Sequence, residues 1–373
     1  MPQHLYAETL LAPGLDVSFQ WRHQNNGRDL LAIIDPESPV YAALGQAVQR
    51  FENTVFDLVA NKPTLIEWAN SHDSLQDAAD RRELRLGGAH VFQQSIELLQ
   101  GMQMMTDREQ DPQGLSAIHH NIGDVMGLIG QRSGSAHFLE QAALSYEQAL
   151  ELRTPEQHPY EWSQTTYNLG VVMHLIGQLE DDNRMLKQAH QTYTQAATQM
   201  PRDSARENAT EDWSAALCSI GTVLYQLGTQ RRGARTLEQS LVAFRNALSE
   251  RTHDKYPAGW AITQNNMAAA LQGLGEHEED IASLEASVPA YEAALKVVDA
   301  QALPLIWAMI TANRASALLA LATESDNLDM AETAVVEFQK LDKLFATTDY
   351  THYKQKTTER IAQSTALVAS LQV

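Results

Sequence analysis

The chain has few of the residues that particular environments and partners require. Only one of its 373 residues, Cys218, is a cysteine, so an internal disulfide is excluded and a reducing compartment fits the composition. Basic residues are in the minority, with 27 Lys and Arg against 47 Asp and Glu, which gives a formal net charge of −20 at pH 7. Binding to nucleic acid or to an anionic membrane depends on clustered Lys and Arg, so the sequence disfavours both as main partners.

The N-terminal stretch also lacks the features of a secretion signal. Residues 1–19 contain no basic start followed by a long apolar run, and we expect no transmembrane segment in the chain. The cytoplasm is therefore the expected location.

The chain does contain a long internal repeat. A Trp recurs at steps of 51, 47 and 47 residues, as Trp162, Trp213, Trp260 and Trp307. Other residues keep the same register, namely a Pro three before the Trp position, an Asn six after it and a later aromatic: Pro112, Pro159, Pro257 and Pro304; Asn121, Asn168, Asn266 and Asn313; Tyr146, Tyr193, Phe244, Tyr291 and Phe338. A fixed period of this size indicates a solenoid, in which each unit buries its apolar face on its neighbours.

Each unit has the apolar spacing of two helices. Ala189, Tyr193 and Ala196 stand at i, i+4 and i+7, which places them on one face of the second helix. The Pro before each Trp position suits the first turn of the first helix, where its missing N–H is no loss. Glycines after the first helix predict its C-terminal end: Gly177, Gly228 and Gly275.

This pattern resembles the tetratricopeptide repeat (TPR) family, whose motif is an aromatic-x2-Leu-Gly-x2-Tyr, then Ala-x3-Phe, then Pro. Leu169-Gly170-x2-Met173, Ala189-x3-Tyr193 and Pro201 fit this motif in order. The unit is 47 residues long rather than the usual ~34, and this long form looks like a bacterial subgroup of the family. The resemblance implies an all-α fold, a right-handed α-solenoid of TPR-like helix hairpins.

The chain divides into four predicted regions. These are an N-terminal arm or β-hairpin at 1–37, a capping helix with a degenerate repeat at 38–111, five TPR-like repeats at 112–345, and a C-terminal capping helix at 346–373. In the N-terminal arm, residues 15–21 and 28–34 are candidate strands of a hairpin, and an extended arm is the alternative. In the C-terminal helix we expect Ile361, Ala362, Leu367 and Leu371 to face inward.

The resemblance also implies a concave groove lined by the first helices. Its inward positions lie three before, one after and four after the motif glycine, which selects these candidate binding residues: His120, Asp124, Tyr167, Val171, His174, Cys218, Thr222, Tyr225, Asn265 and Gln272. Such polar and aromatic groups can hydrogen-bond a peptide backbone, and tyrosine adds stacking area at low entropic cost. The alternative is that they are ordinary solvated residues of a helix face.

The leading functional hypothesis is a non-enzymatic scaffold or adaptor that binds a peptide or protein segment in this groove. It requires no cofactor and assigns no catalytic residue. Whether the chain is an enzyme stays open, and the alternative is a small-molecule- or metal-dependent enzyme or sensor with a pocket inside the superhelix. Self-association through the end repeats is a third hypothesis.

The enzyme or sensor hypothesis depends on a few residues. His120 and Asp124 stand one helical turn apart and could reach one ion, with His174 as a third ligand and Cys218 and Tyr225 nearby. No HExxH or CxxC pattern accompanies them, so a hydrogen bond between His120 and Asp124 is the preferred interpretation.

Overall fold

The computed structural model describes residues 9–12, 17–20, 96, 99–101, 103–202, 209–231, 233–298, 300, 304–346 and 351–372. The predicted N-terminal capping helix and nearly all of the degenerate repeat lie outside these residues. The described part contains two strands, β1 (Thr9–Ala12) and β2 (Val17–Gln20), and these helices: α1 (Pro112–Ser133), α2 (Ala136–Glu151), α3 (Pro159–Leu179), α4 (Asn183–Gln199), α5 (Ala209–Arg231), α6 (Ala234–Glu250), α7 (Pro257–Glu278), α8 (Ile281–Leu295), α9 (Pro304–Ser325), α10 (Leu328–Ala346) and α11 (Thr351–Leu371).

The chain divides into two compact units, each larger than one repeat. Within each unit the helices pack as successive pairs. The first unit contains α1 to α4, and the second contains the two strands and α5 to α11. Within each unit a first helix packs on the second helix of its own pair, and that second helix packs on the next first helix. The first helices also contact one another, α1 with α3, and α5 with α7 and α7 with α9. This arrangement confirms the predicted α-solenoid of helix pairs.

The helix starts confirm the role assigned to the repeated prolines. Helices α1, α3, α7 and α9 begin at Pro112, Pro159, Pro257 and Pro304. A proline in this place costs nothing, because the first backbone N–H groups of a helix have no partner within the helix.

The predicted role of the later glycines is wrong. Helices α3, α5 and α7 continue for two or three residues beyond them. A Cβ added at Gly177 would lie 2.8 Å from the Leu186 side chain, and one at Gly275 would lie 2.5 Å from the Leu284 side chain. These glycines therefore let the two helices of a pair approach closely, and they do not end the first helix.

The motif glycine and the aromatic of the second helix form the same close contact in successive pairs. A Cβ at Gly123 would lie 2.6 Å from the ring of Tyr146, and one at Gly221 would lie 2.6 Å from the ring of Phe244. Each of these rings is 0% exposed. The repeated Gly and the repeated aromatic thus stay in register because the ring occupies the space that a side chain at the glycine would need.

The N-terminal strands form an antiparallel hairpin. Thr9 pairs with Gln20 and Ala12 pairs with Val17. Strand β2 lies within the predicted strand at 15–21, but its partner is the upstream segment Thr9–Ala12, which sequence analysis did not identify. The other predicted strand, at 28–34, lies outside the described residues.

The C-terminal helix α11 packs on α10 and also contacts α9. Its buried residues are Thr357 and Ser364, each 0% exposed, with Ile361, Leu367 and Leu371 partly buried. Ala362 is exposed, so the prediction that it faces inward is wrong. The buried side of α11 thus carries the small hydroxyl residues Thr357 and Ser364 rather than its most apolar residues, because small side chains let the helix approach its neighbours closely.

Candidate functional site

The first helices of the second unit form a layer on which the N-terminal hairpin lies. This first-helix layer consists of α5, α7 and α9, and the second helices of the pairs cover its other side. Strand β1 packs most extensively against α7 and also contacts α9 and α5. A strand of 4 residues spans ~13 Å, enough to reach from one helix toward both neighbours at about 8–10 Å. The strand therefore crosses the layer, centred on α7.

The structure buries almost all of the predicted binding residues. Buried are Asp124, Tyr167, Val171, His174, Cys218, Thr222, Asn265 and Gln272, while His120 and Tyr225 are partly buried. The alternative interpretation, that they are solvated residues of a helix face, is therefore wrong. Since a buried polar group costs free energy unless it is hydrogen-bonded, the partners of these groups determine what they can do.

In the second unit, asparagine side chains link three first helices in one chain of hydrogen bonds. Asn313 Nδ2 donates to Asn265 Oδ1 at 2.8 Å, and Asn265 Nδ2 donates to Asn266 Oδ1 at 3.0 Å. Asn266 Nδ2 then donates to Thr222 Oγ1 at 3.3 Å, and Thr222 Oγ1 donates to the carbonyl of Cys218 at 3.0 Å. The donors all point in one sense, from α9 through α7 to α5, so each bond can polarise the next.

A second set of hydrogen bonds surrounds Gln272 on α7. Its Oε1 accepts from Tyr291 Oη at 3.0 Å, and its Nε2 donates to Glu276 Oε1 at 2.8 Å and to Ser316 Oγ at 3.3 Å. Burial raises the pKa of Tyr291 well above its usual value, with the nearby Tyr225 and Glu276 adding to the effect. Tyr291 therefore stays a neutral hydrogen-bond donor, and the amide of Gln272 is fully used inside the protein.

In the first unit, Asp124 is the centre of the corresponding set. Its Oδ1 accepts from Tyr146 Oη at 2.6 Å and from Asn168 Nδ2 at 3.1 Å. Its Oδ2 lies 3.2 Å from Nε2 of His120, one helical turn earlier, and Nδ1 of His120 lies 2.9 Å from Thr165 Oγ1. Three helices, α1, α2 and α3, thus contribute to one buried polar cluster.

The hydrogen bonds fix where the proton of this cluster lies. Thr165 Oγ1 donates to the carbonyl of Glu161 at 2.9 Å, so it accepts from Nδ1–H of His120. Burial lowers the pKa of His120 to about 3, and the charge of Arg153 adds to the effect. Burial also raises the pKa of Asp124 well above its usual value, against the hydrogen bonds from Tyr146 and Asn168. Both shifts favour the neutral forms of the pair, an imidazole and a carboxylic acid, over an ion pair.

His174 does not join His120 and Asp124. Its Nε2 lies 3.1 Å from Gln178 Nε2, and its Nδ1 lies 3.5 Å from Tyr193 Oη. The ring of Tyr167 packs on the same Tyr193, with 5.3 Å between ring centroids. Among the residues that the structure describes, no three His, Cys, Asp or Glu side chains are grouped so that they could hold a metal ion.

Cys218 is a packed side chain. It is 1% exposed, and its Sγ lies 3.6 Å from Thr263 Oγ1. A buried thiol in such surroundings behaves as a small hydrophobe, and its low exposure hinders reaction with a substrate.

In the sequence the repeated asparagines indicated only the register of the repeats, and their hydrogen bonds between first helices were not predicted. Asn168, Asn266 and Asn313 each donate to a residue of the preceding first helix, at Asp124, Thr222 and Asn265. The signal was present, because a polar residue that recurs at one position of a buried helix needs a partner at a fixed distance in the next unit.

No family model matches the chain, and no curated protein matches it in sequence. Among the solved structures that it is similar to is a protein described as a circular tandem repeat protein with novel repeat topology and enhanced subunit contact surfaces. The identity is 12%, the alignment covers 92% of this chain and 89% of that chain, and the TM-score is 0.26. A likeness at this TM-score carries no argument, so the assignment as a helical repeat protein rests on the helix packing within each unit.

One described helix, α9, has a stretch, Ile306–Ser325, that is long and apolar enough to cross a membrane by length and composition alone. In the protein 72% of its apolar window is buried, as in a core helix.

Proposed function

We propose that the chain is a TPR-type scaffold or adaptor of the cytoplasm, which binds a segment of a protein partner and catalyses no reaction. The observation that supports this is the position of β1. An extended segment of polypeptide already lies across α5, α7 and α9, so the first-helix layer has the shape that such a segment needs.

The chemistry of the layer suits recognition by shape and apolar contact. The positions that the repeat register directs inward on α5, α7 and α9 are all uncharged: Cys218, Thr222, Tyr225, Asn265, Ala269, Gln272, Ala312, Ser316 and Leu319. The asparagine and glutamine amides among them are bonded to each other and to neighbouring side chains. A bound segment would therefore gain mainly from apolar burial, to which Tyr225 adds a partly exposed ring.

By the same reasoning, the predicted binding residues of the first unit stabilise the packing of its own helices. These residues are His120, Asp124, Tyr167, Val171 and His174. Their polar atoms are bonded within the unit, and the aromatic ring of Tyr167 packs on Tyr193. No comparable observation favours the enzyme or sensor alternative.

Photo-cross-linking tests the proposal. Tyr225 is replaced by a benzoyl derivative of phenylalanine, and the matched control carries the same group at Val242, which is 54% exposed on the second helix α6. We expect illumination in a lysate of the source organism to join a protein segment to position 225 and not to position 242. A protein joined equally to both positions, or none at 225, would contradict the proposal, and a recurring small molecule at 225 would favour the sensor alternative.

A further inference from the structure

The hairpin occupies the surface that the proposed function assigns to a partner. We propose that the hairpin formed by β1 and β2 is a built-in competitor for the first-helix layer, and that its rival is a β-hairpin of another protein whose inner strand is uncharged and aliphatic. This inference rests on the proposed function and adds the kind of partner and the means of its regulation.

The composition of β1 indicates the chemistry of the rival strand. The strand reads Thr9-Leu10-Leu11-Ala12 and carries no charge. It lies on a layer whose inward positions in the repeat register are also uncharged, so these positions offer no group for an ion pair. A charged strand would lose its hydration there without a compensating partner, which excludes it as an equal competitor.

The pairing of β1 with β2 indicates why the rival is a hairpin and not a single strand. The backbone N–H and C=O groups of an extended segment need partners, and the backbone of a helix has none to offer along its length. In this chain β2 supplies those partners, from Val17 to Gln20. A competing segment on the same helices therefore brings a second strand of its own.

The hairpin is also suited to being displaced. A two-stranded hairpin alone is marginally stable in water, so its order depends on contact with the helices. Its more extensive contacts with the helices come from β1, which packs on α7, α9 and α5. Covalent attachment gives it an effective concentration that can reach ~1 mM, so a rival in trans binds only weakly until the hairpin is released.

The test uses the full chain with Leu10→Glu or Leu11→Glu. Leu10 and Leu11 are successive residues of β1, so they lie on opposite faces of the strand and the two substitutions place the charge on different faces. Each variant is thus the control of the other. Hydrogen exchange measured by mass spectrometry reports whether residues 9–20 and the amides of α7 become accessible.

The probe is a fluorescent peptide with the sequence of residues 8–21. We expect one of the two variants to show faster exchange in the hairpin, and that variant to bind the peptide at least about tenfold more tightly than the wild type and the other variant do.

Two kinds of result would overturn the inference. Equal peptide binding by all three proteins would show that the layer is open in the wild type, which removes the competitor but leaves the proposed function intact. A variant that releases its hairpin and still fails to bind the peptide, or two variants with unchanged exchange, would show that the layer does not hold a hairpin through β1. The cross-link from position 225, made in the variant that releases its hairpin, decides the proposed function separately.

Discussion

At the scale of single residues, the lowered pKa of His120 and the raised pKa of Asp124 determine how the stability of the first unit depends on pH. In the folded chain the pair holds one proton, because burial lowers the pKa of His120 to about 3 and raises that of Asp124 well above 3.8. The unfolded pair binds two protons below about pH 3.8, one up to about pH 6.5 and none above. The side chains that face the pair, Tyr146, Thr165 and Asn168, are uncharged, and Arg153 adds a positive charge.

The sign of the effect follows from these proton counts. Between about pH 4 and 6.5 the folded and unfolded pairs bind equal numbers of protons, so their contribution to the free energy of unfolding is constant. Above pH 6.5, and up to the raised pKa of Asp124, the folded pair binds one more proton than the unfolded pair, and stability falls as the pH rises. Below about pH 3.8 the unfolded pair binds more, and stability falls as the pH drops.

Asp124→Asn tests this assignment, because an amide can make the same hydrogen bonds as the carboxylic acid but cannot lose the proton. We expect the stability of the wild type to fall more steeply than that of the variant between pH 7 and 8, by at most about 1.4 kcal/mol per pH unit, because the pKa of Asp124 is raised in the folded chain. Urea titrations at both pH values measure the difference. Parallel pH dependence of the two proteins would show that Asp124 is ionised in the folded chain.

At the scale of helices, the contact between the motif glycine and the aromatic ring sets the spacing of the first three pairs, where the glycines are Gly123, Gly170 and Gly221. Gly123→Ala improves helix propensity by about 1 kcal/mol, but the new Cβ would lie 2.6 Å from the Tyr146 ring. Because overpacking a core typically costs about 1–3 kcal/mol, we expect a net loss of stability. Gly101→Ala is the control, since a Cβ there meets nothing within 4 Å, and thermal unfolding should show it to be neutral or stabilising. A variant at 123 as stable as the control would contradict the close-contact explanation.

The helices themselves were largely predictable from the sequence, because every repeat keeps its apolar spacing and four of the five repeats begin with a proline. The glycines were misread, since a glycine near a helix end has the same sequence signal whether it caps the helix or accommodates a neighbour. Ala362 was misplaced for a related reason: helical periodicity ranks faces by hydrophobicity, while the packed face of α11 follows the residues small enough to approach α10.

At the scale of the whole molecule, periodicity predicted which residues face inward but not what lies against them. The register predicted inward positions for Thr222, Asn265 and Gln272, but their burial depends on contacts between neighbouring first helices. The residues that these contacts join are 44 to 48 positions apart in sequence. The hairpin was harder still to predict, since β1 is only 4 residues long and contacts helices about two hundred or more residues away.

The end of the second unit makes a further prediction. Helix α11 covers α10, where Phe338, Leu341 and Phe345 are at most 1% exposed, and Tyr353 stacks on Phe345 with 5.6 Å between ring centroids. Removal of residues 349–373 would expose this apolar end, so we expect association that grows with concentration, which light scattering measures. The control is Ala362→Asp in the full chain, on the exposed side of α11, which should leave the association state measured by light scattering unchanged. A truncated chain that stays monomeric at high concentration would contradict the capping role.

The single cysteine gives the first-helix layer a natural reporter. Cys218 is 1% exposed on α5, and no other thiol in the chain competes for a reagent. Its modification therefore requires that this part of the second unit opens, and the rate with a coloured thiol reagent measures how often it does so. The native sequence can thus be followed in real time, without an added label, as solution conditions or candidate ligands change.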